Sequence, residues 1–182
     1  MGVIAARLPR VRGLEVSHVN NAWLASLAAV ALLWAAGAAA RTLAVGPGQP
    51  FKAPSEAVAA ARSGDTIRIE PGRYFDCAVV PQDHLTIEGA GPNVVLTDKT
   101  CDGKALLVID GNNVTVRNIT LQRARVPDQN GAGIRAEGGN LLVENSRFVN
   151  NENGILAAEN PQATIRIVGS EFIGNGKCAE AC

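Results

Sequence analysis

Aromatic residues, histidine and net charge are all scarce in this sequence of 182 residues. Only 4% of the residues are aromatic and two are histidines, which leaves little basis for histidine metal sites or Ser-His-Asp catalysis. Basic and acidic residues balance at 17 each, so the total charge gives no indication of binding to nucleic acid or anionic membranes. Hydrophobic residues reach 47%, which excludes a disordered chain. With 19 glycines and 9 prolines, the composition favours a turn-rich, globular or solenoid β protein.

The segment 1–40 predicts a secretory signal peptide. Three arginines precede an uncharged segment, Ala22–Ala40, which ends with alanine at both small-residue positions of a cleavage site, Ala38 and Ala40. The alternative is an uncleaved membrane anchor, because the uncharged segment approaches the length that crosses a bilayer. Cleavage would remove both tryptophans and leave residues 41–182 as a secreted or periplasmic domain with no stable membrane span.

Five short segments alternate apolar and other residues with the period of a β-strand. They are residues 66–69, 84–87, 113–116, 140–143 and 164–167. Their first inward positions are Ile67, Leu85, Val114, Leu141 and Ile165. Self-similarity at roughly 20–30 residues is typical of repeat architectures. Since no amphipathic helices separate the strands, the repeat predicts a β-solenoid and excludes βαβ packing.

The flanks of these segments repeat as well. Leu121 aligns with Phe148 and Phe172, and Asn151 aligns with Asn175. Equivalent residues of successive coils lie about 4.8 Å apart, so we expect an interior apolar stack and an asparagine ladder. A second strand series is predicted at 107–109, 133–136 and 154–157. The alternative, an antiparallel sandwich, would need consecutive strands joined by two-residue Asn-Gly or Asp-Gly hairpins.

A short helix is predicted between Phe51 and Gly64, near the start of the domain. Pro54 suits the first turn, Glu56 follows it, and Gly64 ends the segment. Val58 and neighbouring alanines give one narrow apolar face. Because the first coil of a solenoid exposes a strand edge and core side chains, we expect this helix to act as a lid.

All four cysteines lie after the predicted signal peptide, and an even number in an exported chain suggests disulfides. The interval between Cys77 and Cys101 is close to the length of one coil, so neighbouring coils would place them within disulfide distance. Cys178 and Cys182 are predicted to pair locally, or with partners elsewhere. The alternatives are free buried thiols and a metal site, although no Cys-x-x-Cys motif is present.

The run from Ser55 to Tyr74 resembles the N-terminal cap of right-handed parallel β-helix proteins of the pectin-lyase-like superfamily. In those proteins a capping helix leads through Gly-Asp-Thr-Ile to a Pro-Gly-x-Tyr turn, which correspond here to residues 64–67 and 71–74. The asparagine- and glycine-rich coils at 112–176 resemble the same superfamily. The resemblance implies an all-β fold, a right-handed parallel β-helix with a short N-terminal capping helix.

The resemblance leaves activity open, because the superfamily includes lyases, hydrolases, epimerases, phage tailspikes and non-catalytic adhesins. Its polygalacturonase-like hydrolases use Asn-x-Asp, Asp-Asp, Gly-His-Gly and Arg-x-Lys motifs, none of which occurs here. If the chain is an enzyme, the resemblance favours a polysaccharide lyase or epimerase. Such an enzyme would use arginine or lysine as base, with calcium or arginine neutralising the substrate carboxylate.

Candidate binding residues lie on and around the strand at 133–136. Arg135 points outward between two inward residues, and the loop 123–131 precedes this strand as a candidate wall. The predicted substrate-binding residues are Arg123, Arg125, Asp128, Arg135, Glu137 and Glu159. The three acids supply at most part of a calcium site. No catalytic residue and no metal ligand is assigned, and calcium is the only cofactor considered.

The predicted partner is an anionic, uronate-type polysaccharide. Exposed aromatic platforms for neutral sugars are nearly absent from residues 41–182, and arginine, which binds carboxylates bidentately, outnumbers lysine there by 10 to 4. In one alternative, three outward arginines simply pair with Glu144 or Glu171 as ordinary surface charges; they are Arg117, Arg147 and Arg166. In another, the chain is a structural surface solenoid without carbohydrate activity.

The C-terminal end of the repeat carries no recognisable cap. No helix, proline-rich turn or charged strand follows the last coil to cover its strand edge. We therefore expect the domain at 41–182 to be incomplete at this end and to self-associate through the open coil.

Overall fold

Parallel strands wound into coils form the described part of the chain. The computed structural model describes residues 39–176, so nearly all of the predicted signal peptide, together with Cys178 and Cys182, lies outside the described residues. Each complete coil adds one strand to each of three sheets, which contain six, five and four strands, and the solenoid has about six turns. The predicted right-handed parallel β-solenoid is confirmed. Within 39–176, no helix is both long enough and apolar enough to cross a membrane.

The three sheets form the three sides of the solenoid. The first sheet contains β1 (Thr42–Val45), β2 (Thr66–Ile69), β5 (Thr86–Gly89), β8 (Val114–Arg117), β11 (Leu141–Glu144) and β14 (Ile165–Val168). The second contains β3 (Gly72–Tyr74), β6 (Val94–Thr97), β9 (Thr120–Gln122), β12 (Arg147–Val149) and β15 (Glu171–Ile173). The third contains β4 (Ala78–Val80), β7 (Ala105–Ile109), β10 (Ala132–Ala136) and β13 (Asn153–Ala157).

The predicted alignment of the coils is wrong at one position. Ile67 of β2 pairs with Ile87 of β5 rather than with Leu85, so the first interval of the repeat is longer than predicted. Leu85 lies two positions earlier and is also buried. A shift of two positions keeps the same strand face inward, so apolar alternation alone does not distinguish the two alignments.

Aliphatic side chains from all three sheets fill the interior, and the predicted apolar stack is part of it. Leu121, Phe148 and Phe172 are register partners in β9, β12 and β15. The predicted asparagine ladder is confirmed as well: Asn151 donates from its backbone N and its Nδ2 to Asn175 Oδ1, at 3.0 and 3.1 Å. These ladders satisfy polar groups at a turn that would otherwise be buried without partners.

The predicted helix, α1 (Pro54–Ala60), is shorter than the segment that suggested it. Ala57 and Val58 are buried, and α1 packs against β1, β2 and β4. Pro54 at the first turn costs no hydrogen bond, because the first N–H groups of a helix have no partner within the helix. The helix therefore covers the N-terminal end of the stack as expected.

The predicted disulfide between Cys77 and Cys101 is present, with Cα atoms 5.5 Å apart. The two cysteines are not register partners, however. Cys77 directly precedes β4, whereas Cys101 opens a tight turn before β7, in which Cys101 N donates to Ala105 O at 2.8 Å. The disulfide thus fastens this turn, which also contains Lys104, to the preceding coil.

The last described coil leaves apolar side chains exposed at its outer end. Ile167 is 44% exposed and Phe172 is 48% exposed, whereas Phe148 one coil earlier is fully buried. Self-association through this end stays a prediction.

Candidate functional site

The outer face of the third sheet carries a row of side chains that are level with one another. Register pairs Val79 of β4 with Val108 of β7, Val108 with Arg135 of β10, and Arg135 with Leu156 of β13. At about 4.8 Å per coil, this row spans about 14 Å along the solenoid axis. The valines and Leu156 belong to a small apolar cluster that is separate from the interior core. The outer-face row is therefore an apolar strip interrupted by one guanidinium group.

Two cations share one carboxylate at this strip: Arg135 lies within the row, and Lys104 comes from the turn before β7. Lys104 Nζ donates to Glu137 Oε2 at 2.7 Å, and Arg135 Nε donates to Glu137 Oε1 at 3.2 Å. Lys104 directly precedes β7 and Glu137 directly follows β10, so their ion pair extends along the outer face. Val108 in the row between them is only 1% exposed. Glu137 thus holds both cations in place next to the buried, apolar side chain of Val108.

The carboxyl groups around this cluster differ in acidity. The hydrogen bond from Lys104 lowers the pKa of Glu137 below its ordinary value and raises the pKa of Lys104. Partial desolvation, together with the negative charge of Glu137, raises the pKa of Asp110, an exposed residue that directly follows β7. Lys104 is therefore held as an ammonium ion and is a poor proton acceptor, whereas Asp110 takes up a proton more readily than an ordinary aspartate.

The structure brings together only two of the six predicted site residues, Arg135 and Glu137. Arg123 follows β9 and its guanidinium pairs with the carboxylate of Asp98. Arg125 lies in the loop 123–131, where its Nη1 donates to the carbonyl oxygens of Ala124 and Asn150 at 2.8 and 2.6 Å. Arg125 therefore fastens the loop 123–131, which was predicted to form one wall of the binding site, to the next coil.

The remaining two predicted site residues form no hydrogen bond or ion pair with the Arg135 cluster in the described part of the chain. Asp128 accepts a hydrogen bond from Asn130 within the loop 123–131. Glu159 is exposed in the segment after β13. Across residues 39–176, no three His, Cys, Asp or Glu side chains converge as metal ligands. Asp128, Glu137 and Glu159 thus do not form a calcium site by themselves.

Sequence reasoning missed Lys104 and Asp110. A signal for Asp110 was present, because it follows the apolar run of β7 as Glu137 follows β10, and the register places the two strands side by side. Lys104 had no such signal. It lies in an irregular turn that belongs to no repeated segment, and its position depends on the disulfide at Cys101.

Two concave surfaces lie away from the third sheet. One, of about 510 Å³, lies at the corner between the first and second sheets, where the turn after β5 projects beyond the shorter turns of later coils. Its one charged lining residue, Arg147, donates to Glu171 at 2.9 Å. The other, of about 370 Å³, lies on the outer face of the first sheet.

Several outward arginines pair with acids, as the alternative interpretation expected. Arg147 pairs with Glu171, as described above. Arg117 pairs with Glu88, at 2.6 Å, and Arg68 pairs with the same carboxylate at 3.2 Å. Among the residues that the structure covers, Arg166 has no ion-pair partner. The ion-paired arginines Arg68, Arg117 and Arg147 therefore give no preference for an anionic ligand.

Known proteins resemble this chain at the level of fold. No curated protein matches it. Similar solved structures include a pectin methylesterase mutant with a hexasaccharide, at 14% identity and a TM-score of 0.44, covering 59% of this chain and 48% of that one. Another is a pectin methylesterase from Erwinia chrysanthemi, at 14% identity and a TM-score of 0.42, covering 65% and 53%. A second pectin methylesterase–hexasaccharide complex has 13% identity and a TM-score of 0.44, covering 71% and 65%.

This chain spans about half to two thirds of the length of those structures. The family model described as "Right handed beta helix region" matches residues 58–181, which is more than half of the chain. The parallel coils, the capping helix and this match agree, and the chain belongs to the right-handed β-helix family.

Proposed function

We propose that this protein is an exported β-helix protein that binds an anionic, uronate-type polysaccharide along the outer face of the third sheet. The observation that carries the proposal is the position of Arg135 in the row of Val79, Val108 and Leu156. A uronate polymer presents apolar ring faces and regularly spaced carboxylates. Arg135 matches the carboxylates. The half-buried side chains of Val79 and Leu156 match the ring faces, whereas Val108 is buried and only supports the row.

The cations of the cluster keep donors for a ligand. Glu137 accepts from the Nε of Arg135, so the two terminal nitrogens of the guanidinium are left to bind a carboxylate bidentately. Lys104 uses one of its three N–H groups for Glu137 and retains two. Because Glu137 already holds both side chains in place, a ligand would bind to ordered cations, and less rotamer entropy would be lost on binding.

The site carries carboxylates as well, and their charge predicts a pH dependence. Asp110 adds a negative charge beside Glu137 at neutral pH, and its raised pKa means that this charge disappears at a higher pH than usual. As the pH falls through that range, the net charge around Arg135 becomes more positive. Polysaccharide carboxylates with an ordinary, lower pKa remain ionised there, so binding should tighten on mild acidification.

Export is part of the same proposal. Support comes from the disulfide at Cys77, because disulfides persist in oxidising compartments and are rare in the cytosol. The signal peptide predicted at 1–40 supports it from the sequence side.

The test is a binding titration of purified protein with polygalacturonate and alginate fragments, with neutral dextran as reference. Arg135→Ala should weaken acidic-polymer binding by about tenfold or more, because it removes a charge-assisted contact. Arg147→Ala is the matched control, since it deletes an exposed, ion-paired arginine on another sheet. Equal losses in both variants, or equal binding to dextran, would reject the site. Absence of binding to every polymer would favour the structural solenoid.

A second candidate function is chemical processing of the same polymer, with Asp110 as the proton-transfer group. The observation that favours it is the contrast between the raised pKa of Asp110 and the lowered pKa of Glu137, because such pairs divide acid and base roles. Incubation with polygalacturonate should then yield new reducing ends or unsaturated products that absorb in the ultraviolet. Asp110→Asn should abolish the products while binding persists. Binding without products in the unmodified protein would leave a binding protein.

A further inference from the structure

Arg41 wraps around one buried carboxylate at the start of the solenoid. Its backbone N donates to Asp65 Oδ1 at 2.8 Å, while its guanidinium Nη2 donates to Oδ2 at 2.5 Å and its Nε to Oδ2 at 3.1 Å. Asp65 is only 2% exposed and also accepts from the backbone N of Arg62, at 2.9 Å. A carboxylate this enclosed needs cationic or N–H partners.

Arg41 is the first residue after the predicted signal peptide, so this contact involves the future N-terminus. The predicted signal peptide ends at Ala40, so the nitrogen that donates to Asp65 Oδ1 is the atom that cleavage would convert into the N-terminus. On its other side, Arg41 O accepts from Thr66 N at 2.8 Å, which continues the pairing of β1 with β2. Ala39 and Ala40 are exposed and belong to no strand. The fold thus holds Arg41 firmly and leaves the two alanines before it in solvent.

We propose that the Ala40–Arg41 bond is the processing site and that the new α-ammonium group of Arg41 docks on Asp65. Water adds across the peptide bond in the hydrolysis catalysed by a signal peptidase. Ala40 departs as a carboxylate with the leader, and the Arg41 nitrogen takes up a proton to become an ammonium ion. The hydrogen bond from the uncharged amide N–H to Asp65 Oδ1 then becomes an ion pair, with one oxygen for the ammonium and the other for the guanidinium.

Processing therefore stabilises the folded domain as well as releasing it. An ammonium ion in contact with an enclosed carboxylate is favoured in the folded state and has no such partner in the unfolded chain. This gain in folding stability needs the free amine at Arg41 itself. An N-terminal amine two positions earlier would lie about 7 Å from the Arg41 nitrogen along the chain. This inference rests on the predicted signal peptide and is independent of polysaccharide binding.

The experiment uses the full-length gene in a bacterial host that exports the protein, followed by N-terminal sequencing and intact mass. The expected mature N-terminus is Arg41. A second gene carries Gly-Ser inserted between Ala40 and Arg41, so that cleavage after Ala40 leaves the amine two positions away from its place beside Asp65. At pH 6–7, the insertion variant should melt about 2–6 °C below the natural sequence.

Two further measurements test whether the ion pair causes this difference in melting temperature. The difference should disappear above about pH 10, where the α-amine has lost its proton. The ordinary pKa of an α-amine is near 8, and a carboxylate partner raises it. The difference should also disappear when both proteins carry Asp65→Asn. If that variant does not fold, the pH titration decides alone. A different mature N-terminus, equal melting temperatures at pH 6–7, or a difference that persists at pH 10 would each overturn the proposal.

Discussion

The rings of Phe148 and Phe172 stack with their centroids 4.7 Å apart and their planes 7° from parallel. This separation equals the spacing of neighbouring coils, because the two residues are register partners in β12 and β15. The two rings differ in environment, however: Phe148 is fully buried, whereas Phe172 is 48% exposed.

Phe148→Ala should lower the free energy of unfolding by about 3–5 kcal/mol, because it opens a cavity between Leu121 and Phe172. Phe172→Ala is the matched comparison, and its cost should be clearly smaller since that ring is half in solvent. Urea denaturation followed by far-ultraviolet circular dichroism measures both. Equal losses in the free energy of unfolding would contradict a buried Phe148 next to a half-exposed Phe172.

Gly133 in β10 allows the Phe148 ring to approach the backbone of the third sheet. A Cβ atom at Gly133 would lie 2.7 Å from Phe148 Cδ1 and 2.8 Å from Gly154 O. Gly133→Ala should therefore cost about 1–3 kcal/mol of stability through overpacking. Gly48→Ala is the control, because a Cβ atom there meets nothing within 4 Å. Thermal unfolding of the two variants provides the comparison, and a neutral Gly133→Ala would show that the ring moves freely.

Acid should destabilise the protein through Asp65 from about pH 4 downwards. Hydrogen bonds from Arg41 and from the backbone hold the pKa of Asp65 far below its ordinary value. A depressed folded-state pKa contributes stability above the unfolded value, near 3.9, and this contribution is lost as the pH falls below it. The melting temperature should fall steadily below about pH 4. Asp65→Asn should melt lower at pH 7 and show a flatter dependence, whereas an unchanged slope would exclude Asp65 as the cause.

Reduction of the disulfide should affect both stability and ligand binding. Closing a 24-residue loop stabilises by about 3 kcal/mol in the chain-entropy model, so Cys77→Ala with Cys101→Ala should lose an amount of that order. The same change frees the turn that positions Lys104 against Glu137. Acidic-polymer binding should therefore weaken at a temperature where the variant is still folded, as judged by circular dichroism. Unchanged affinity would mean that Lys104 does not contribute.

The fold was predictable because every coil must place apolar side chains in the interior at equivalent positions. Inward residues such as Leu121 and Phe148 occupy the same level of successive coils, so one sequence pattern recurs and indicates a stack. The register of Ile67 was not predictable from alternation, since Leu85 and Ile87 face the same way. Only the structure shows that Ile87 is the partner.

The candidate site was predictable where it lies on a strand or directly follows one. Arg135 has an outward position that follows from its neighbours in β10. Lys104 reaches the site from a turn fixed by a disulfide, and no periodic signal marks such a residue. Arg123 and Arg125 precede the same strand in sequence, yet one binds Asp98 and the other binds backbone oxygens. Ion pairing in loops depends on contacts between coils, which spacing along the chain does not determine.

The helix α1 packs on β1, β2 and β4 at the N-terminal end of the stack, and each later coil contacts its immediate neighbours through parallel ladders. Interactions of this kind are local along the solenoid axis. A single coil, such as the one that leads from Phe148 to its register partner Phe172, can therefore be duplicated or deleted behind the helix without redesign of the cap. Evolution and protein engineering alike can lengthen the outer face of the third sheet one coil at a time.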